Sequence, residues 1–128
     1  MALEKGLQAE VTRVVGATMS AEAFGNAGFS VLGTPALIGL LEEAGIKAVA
    51  PRLAPNEGTV GTKITVAHLA ATPLGEEVRA HARLTEVAGR RLVFELEASD
   101  AVRPIAKGQM ERFVVDIPRF LAKTVRTR

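Results

Sequence analysis

The sequence predicts an α+β domain in which one long helix packs against an antiparallel five-stranded sheet, and three observations carry that prediction. Residues 34–49 form one segment of helical period, a β-branched segment precedes it, and four alternating segments separated by short turns follow it. A sheet of alternating strands has one apolar face to cover, and a single amphipathic helix is the economical cover. With 128 residues, 48% of them hydrophobic and 23% charged, the chain has the size of one domain, residues 1–128, that buries a core.

Each element has its own signal. "LQAEVTRVV", Leu7 to Val15, gathers β-branched residues before a break at Gly16 and reads as the first strand. "GATMSAEAFGNAGFS" is rich in small residues with weak periodicity, which predicts a loop or lid containing a short helical turn; Phe24 and Phe29 are its only large rings. Thr34 followed by Pro35 is a helix-start signal, since Thr can cap orphan amides and Pro tolerates the first helical turn. The helix runs to about Val49 and stops before Pro51. On it Leu37, Leu40, Leu41, Ala44 and Ala48 share one face, and Glu43 with Lys47 is expected as an exposed i,i+4 pair. "APNEGTVG" reads as a turn.

Four strand candidates follow. In "TKITVAHLA", Ile64, Val66, His68 and Ala70 alternate on one face. In "EEVRAHARLTEV", Val78, Ala80, Ala82 and Leu84 alternate against Arg79, His81 and Arg83. A tight connection at Ala88 and Gly89 leads to "RRLVFELEAS", with Leu92, Phe94, Leu96 and Ala98 inward, and "DAVRP" turns the chain into "IAKGQMERFVVDI". One helix covers little, and a curved five-stranded sheet leaves edges exposed, so dimerisation is the expected remedy.

Composition narrows the chemistry. No apolar run approaches the roughly 20 residues that span a bilayer, and "MALEKGLQAE" lacks the basic start and apolar stretch of a secretory signal, so a cytoplasmic protein without membrane partners is expected. Zero cysteines exclude disulfide and thiolate chemistry, and with only two histidines no metal or other cofactor is expected. The last twelve residues, "IPRFLAKTVRTR", carry four cations (Arg119, Lys123, Arg126, Arg128) and no acid, against a net charge of only +2 for the chain. Such a tail attracts nucleic acid or a phosphorylated ligand such as coenzyme A, or is simply solvated. Without Trp or Tyr, stacking platforms for bases are scarce, and no nucleic-acid partner is expected.

Thr34, Glu42 and His68 are the residues suited to chemistry. Glu42 falls off the apolar stripe among Ile38, Gly39, Gly45, Ile46 and Val49, where a charge loses hydration and needs a partner or a purpose. A hydroxyl at a helix start, an imidazole and a carboxylate are the ingredients of acyl transfer, and free amides at that start can hold an oxyanion. Taken singly, Thr34 as an N-cap and His68 as a core histidine are the plainer readings; His81 and Glu43 read as solvated faces.

"VLGT" with Glu42 eight residues after Thr34, then "GTVGT", His68, "ATP", "EVAGRRLVFE", "ASD" and "KGQMERFVV" resembles the fluoroacetyl-CoA thioesterase group within the hotdog-fold acyl-CoA thioesterases. The likeness runs from about Val31 to Val115. It implies a hotdog dimer, with tetramers one further state, acting on small acyl-CoA thioesters. It also implies a catalytic set of Thr34, Glu42 and His68, backbone contact from Gly61, and Arg112 close to the substrate. The family discriminates substrates partly through aromatic residues in a lid before the helix; the matching positions here hold Gly25 and Gly28, with Phe24 and Phe29 one step away as the candidate substrate contacts. Acyl-CoA hydration or dehydration, and acyl-CoA binding without turnover, are the rival readings of the same fold.

Eight residues of helix advance about 12 Å at 1.5 Å per residue, so Thr34 and Glu42 of one chain cannot touch. A site shared between two subunits is therefore expected, with a chain that bends back before the helix as the alternative. Within it His68 would deprotonate Thr34 or a water with Glu42 in support, or Glu42 would itself attack or activate water.

Overall fold

A computed structural model describes residues 2–126. The strands are β1 (Gln8–Val14), β2 (Glu57–His68), β3 (Glu77–Ala88), β4 (Arg91–Asp100) and β5 (Pro104–Asp116); helix α1 (Thr34–Val49) connects β1 to β2, and a short helix α2 (Ile117–Ala122) follows β5. All pairings are antiparallel, in the order β1-β3-β4-β5-β2, so the chain's first two strands form the two edges and α1 crosses between them. This is the α+β arrangement expected from the sequence, with α1 at its expected bounds.

The core lies between α1 and the sheet. Leu37, Leu40, Leu41, Ala44 and Ala48 are buried, as are Val78, Ala80, Ala82 and Leu84 on β3 and Leu92, Phe94, Leu96 and Ala98 on β4. Each large side chain removed from water contributes roughly 1.5–3 kcal/mol, which is why the two alternations and the helical stripe must face one another. Gly45 permits the closest approach of helix and sheet: a Cβ there would stand 2.4 Å from the Met110 Cε. At Gly108 a Cβ would lie 2.0 Å from the Thr65 carbonyl oxygen, so β5 can pass β2 only as glycine.

Two expectations need correction. "APNEGTVG" is not all turn, because β2 begins at Glu57; Gly58 and Gly61 hide the strand signal and lie close against Ile117 and the Glu42–Arg112 pair. Glu43 and Lys47 do not pair with each other. Glu43 bonds Arg13 at 2.6 Å and Lys47 donates to the Glu10 carbonyl, because β1 runs close beside that face of α1. The described part of the basic tail is exposed, as its solvated reading expects, and carries a short helix: Asp116 caps α2 by accepting from the Arg119 amide at 3.0 Å, with Pro118 in the first turn. Arg128 of that tail lies outside the described residues.

β2 carries a bulge where the register shifts between Gly61 and Lys63, with Thr62 the extra residue. A bulge reverses the alternation of sides. Thr59 and Gly61 before it therefore share the α1-facing side with Ile64, Val66 and His68 after it.

Gly108→Ala is expected to cost about 1–3 kcal/mol or more, because backbone must move, and Gly45→Ala far less, because only the flexible end of Met110 must turn away. Urea midpoints of the two variants check this ordering. Asp116 is held below the usual carboxylate range by the Arg119 amide and the Asn56 side chain. Asp100 is too: burial pushes it upward, but hydrogen bonds from Val102, Thr72 and Arg103 outweigh that. For a depressed carboxyl the unfolded chain binds protons first, so the stabilisation is full above the ordinary value of about 4 and lost as pH falls through the folded one. Thermal midpoints should hold from neutral pH down to about 5 and drop below 4, with a shallower drop for Asp116→Asn.

Candidate active site

The start of α1 is built by close backbone approach. Gly33 is the N-cap, in extended conformation with no side-chain cap; its amide donates to the Met19 carbonyl, and a Cβ on it would sit 3.0 Å from the Ala21 backbone. Thr34 is thus the first helical residue and not the cap, contrary to the plain reading of its hydroxyl. That hydroxyl lies 2.8 Å from the His68 Nδ1. Pro35 has no N–H, which leaves the Thr34 and Ala36 amides as first-turn donors without an intrahelical acceptor. His68 sits at the end of β2, and its Nε2 is buried with no hydrogen-bond partner in the single chain.

Two turns along α1, Glu42 meets a second group. Its Oε2 accepts from the Arg112 Nη1 at 3.0 Å. Arg112 is only 3% exposed, an uncommon place for a cation. The cost of desolvating it is offset by Thr59, whose hydroxyl accepts from Nε at 2.8 Å and whose carbonyl accepts from Nη2 at 2.9 Å. Gly61 completes the cluster, for a Cβ there would stand 2.9 Å from the Glu42 Oε2 and 3.1 Å from the Arg112 Nη1. A cavity of ≈ 310 Å³ opens beside this pair, lined by Glu42, Gly61, Thr62, Lys63 and Ile64.

The structure therefore joins Thr34 to His68, and Glu42 to Arg112 and Gly61, in two clusters about 12 Å apart along α1. It does not bring Glu42 to His68 within one chain. Phe24 and Phe29 stand on the 21–31 loop, 52% and 55% exposed. Gly25 and Gly28 beside them have φ of 99° and 89°, a conformation glycine adopts at no steric cost. The Glu22 carboxylate accepts from the Gly28 amide and helps close the loop. Sequence reasoning missed Thr59, which fell inside the segment read as a turn; its signal was the "TV" pair between two glycines, a short strand stretch.

An antiparallel sheet folded over one long helix, with a hydroxyl–imidazole pair at the helix start and a carboxylate farther along it, defines a hotdog-fold thioester hydrolase. The family model for fluoroacetyl-CoA-specific thioesterases matches residues 15–117, and the chain belongs to that family. It is 45% identical over 93 residues to the fluoroacetyl-CoA thioesterase of Streptantibioticus cattleyicolor, a match covering 73% of this chain and 67% of that protein. Among solved structures it is similar to a Phe-to-Ala mutant of the fluoroacetyl-CoA-specific thioesterase FlK, with a TM-score of 0.91 and 35% identity over 97% of this chain and 96% of that one. A Phe-to-Ala mutant in complex with fluoroacetate and CoA superposes with a TM-score of 0.85 at 36% identity, covering 92% and 99% of the two chains. No helix among the described residues is long and apolar enough to cross a membrane.

Gly61→Ala places a methyl group against the far end of Glu42, a flexible side chain that can swing aside. Glu42 swinging aside takes an acceptor from the buried Arg112, so the variant's melting temperature should fall by several degrees in a thermal scan.

Proposed function

We propose that the chain hydrolyses small acyl-CoA thioesters at a site shared between two copies, where Thr34 and His68 of one protomer face Glu42, Gly61 and Arg112 of the other. The observation that carries this reading is the unpartnered Nε2 of His68: a buried imidazole nitrogen costs free energy unless a neighbour satisfies it, and the chain's own Glu42 is held elsewhere by Arg112. The β2 edge opposite β5 supports it, since twelve residues of unpaired strand invite a second copy alongside.

In the proposed reaction the thioester carbonyl lies against the Thr34 and Ala36 amides, which stabilise developing negative charge. Thr34 Oγ1 adds to the carbonyl carbon as its proton passes to His68 Nδ1. The tetrahedral adduct collapses, the carbon–sulfur bond breaks, and the imidazolium returns the proton to the departing sulfur of coenzyme A. A water then cleaves the acyl-threonine ester by the same proton path, releasing the free acid. The partner's carboxylate accepts from Nε2–H, fixing the tautomer and stabilising the cationic ring. Phe24 and Phe29 border the acyl end, and the loop's exposed apolar rings fit short acyl groups, halogenated ones included.

His68→Ala and Thr34→Ala should each lower turnover about a hundredfold or more with the fold intact, and Thr34→Ser should keep most of it. Mixing decides the shared site. Equal amounts of refolded Thr34→Ala and Glu42→Gln chains, each inactive alone, should recover about a quarter of wild-type turnover, because half the dimers are mixed and each of those holds one intact site. No recovery in a mixture that size-exclusion chromatography proves dimeric would sink the shared site, and release of no thiol from any acyl-CoA by the wild type would sink the hydrolase reading.

A further inference from the structure

We propose that Thr72 and Asp100 are positioning residues of the reaction: the bond between their side chains holds the backbone ahead of α1 against the chain that follows His68, and so fixes the distance from the Thr34 hydroxyl to the His68 Nδ1. The proposal rests on the reading above, in which Thr34 and His68 carry the chemistry. Thr72 and Asp100 bond to each other and not to that pair. They lie in "ATP" and "ASD", stretches to which the reaction above gives no role.

Thr72 is fully buried, and a hydroxyl so placed needs a partner. Its Oγ1 donates to the Asp100 Oδ2 at 2.8 Å. The Asp100 Oδ1 accepts from the Val102 and Arg103 amides at 2.9 and 3.0 Å, which anchors the carboxylate in the turn between β4 and β5. A bond to an ionised acceptor is stronger than one between neutral groups, so Thr72 is firmly tied to that turn. The Thr72 carbonyl in its turn accepts from the Leu32 amide at 2.8 Å, and Val31 pairs with Pro73 beside it. Leu32 stands two residues ahead of Thr34. On the other side of this segment the Gly33 amide donates to the Met19 carbonyl and the Ala21 amide to the Val31 carbonyl, both at 2.8 Å. Residues 19–21, 31–33 and 72–73 thus form a small ribbon that carries the start of α1, and the Thr72 side chain joins it to the main sheet.

His68 is held by the same hairpin. It lies opposite Ala106 in the β2–β5 register, and the next amide, of Leu69, donates to the Ile105 carbonyl at 2.7 Å. The imidazole is therefore placed by β5, and the Thr34 hydroxyl by way of Leu32, Thr72 and Asp100 at the turn that leads into β5. The β4–β5 hairpin is the common frame of both members of the 2.8 Å pair. Without the side-chain bond α1 still forms, but its start loses one tie to the frame that fixes the imidazole.

Thr72→Val removes the hydroxyl and keeps the shape of the side chain. Its kcat on acetyl-CoA should fall about tenfold with KM within about twofold of wild type, since a small misplacement of reacting groups slows the chemical step. Thr72→Ser restores the donor and should recover most of the loss. Val11→Ala, a core truncation on β1, lowers the melting temperature without touching this bond and should keep the wild-type kcat. A second readout is free of turnover, because His68 and His81 are the only histidines. In nitrogen-15 spectra of the imidazoles, the His68 Nδ1 resonance should move toward that of an unbonded ring in Thr72→Val and return in Thr72→Ser, while His81, bonded to Gln8, stays in place. A wild-type kcat or an unmoved His68 resonance in Thr72→Val overturns the proposal, as do equal losses in the valine and serine variants. If Thr72→Val does not fold, Asp100→Asn takes its place: it keeps an oxygen for the two amides, offers Thr72 no charged acceptor, and should show the same pattern to a smaller extent. Should the wild type release no thiol, the hydrolase reading fails on its own. The His68 resonance then decides: a shift rescued by serine supports the positioning role, and no shift overturns it.

Discussion

Arg112 is the constraint on which the helix–sheet seam depends. A guanidinium at 3% exposure has given up most of its hydration, and the chain compensates by placing an acceptor at each of its three nitrogens. Two of those acceptors belong to Thr59 on β2 and one to Glu42 on α1, so a single side chain from β5 ties the edge strand and the helix together. Removing an acceptor from such a group costs more than the bond itself, because a buried charge is left uncompensated. The half-exposed Glu42, at 42% side-chain exposure, is the yielding member of this set and the one that faces the cavity.

The rest of the site follows from how α1 lies against β2. Its first residue meets the last residue of that strand, and Glu42 meets Gly61 farther back, so helix and strand run in opposite senses. The bulge at Thr62 is what lets both contacts fall on one side of the sheet. An unbulged strand would turn either Gly61 or His68 away from the helix, since side chains alternate strictly. Glycine at 61 then leaves the space in which carboxylate and guanidinium meet. These features hold each pair in place and leave Thr34 exposed at the helix start.

Much of the fold was legible because its signals are local or periodic. The alternations on β3 and β4 and the stripe from Leu37 to Ala48 are read directly as inner faces, and the Thr34–Pro35 and Pro51 punctuation bounds α1. The Asp116–Ile117–Pro118 run carries a capping acid and a first-turn proline, so α2 was legible on those grounds, and the tail around it is exposed as its density of charge suggests. Where glycine interrupts a strand, as at Gly58 and Gly61, periodicity fails, since the signal depends on side chains that these positions must lack.

The sequence by itself determined which residue types are suited to chemistry, the helix on which two of them sit, and the separation that keeps Thr34 from Glu42. Only the tertiary structure decided who meets whom. That the Thr34 hydroxyl turns to His68 instead of capping its helix depends on Gly33 packing against the Ala21 backbone, and that Glu42 bonds Arg112 depends on a bulge in a distant strand. Both are contacts between segments far apart in the chain. Their geometry is set by backbone approach and register, for which no single residue type is a signature.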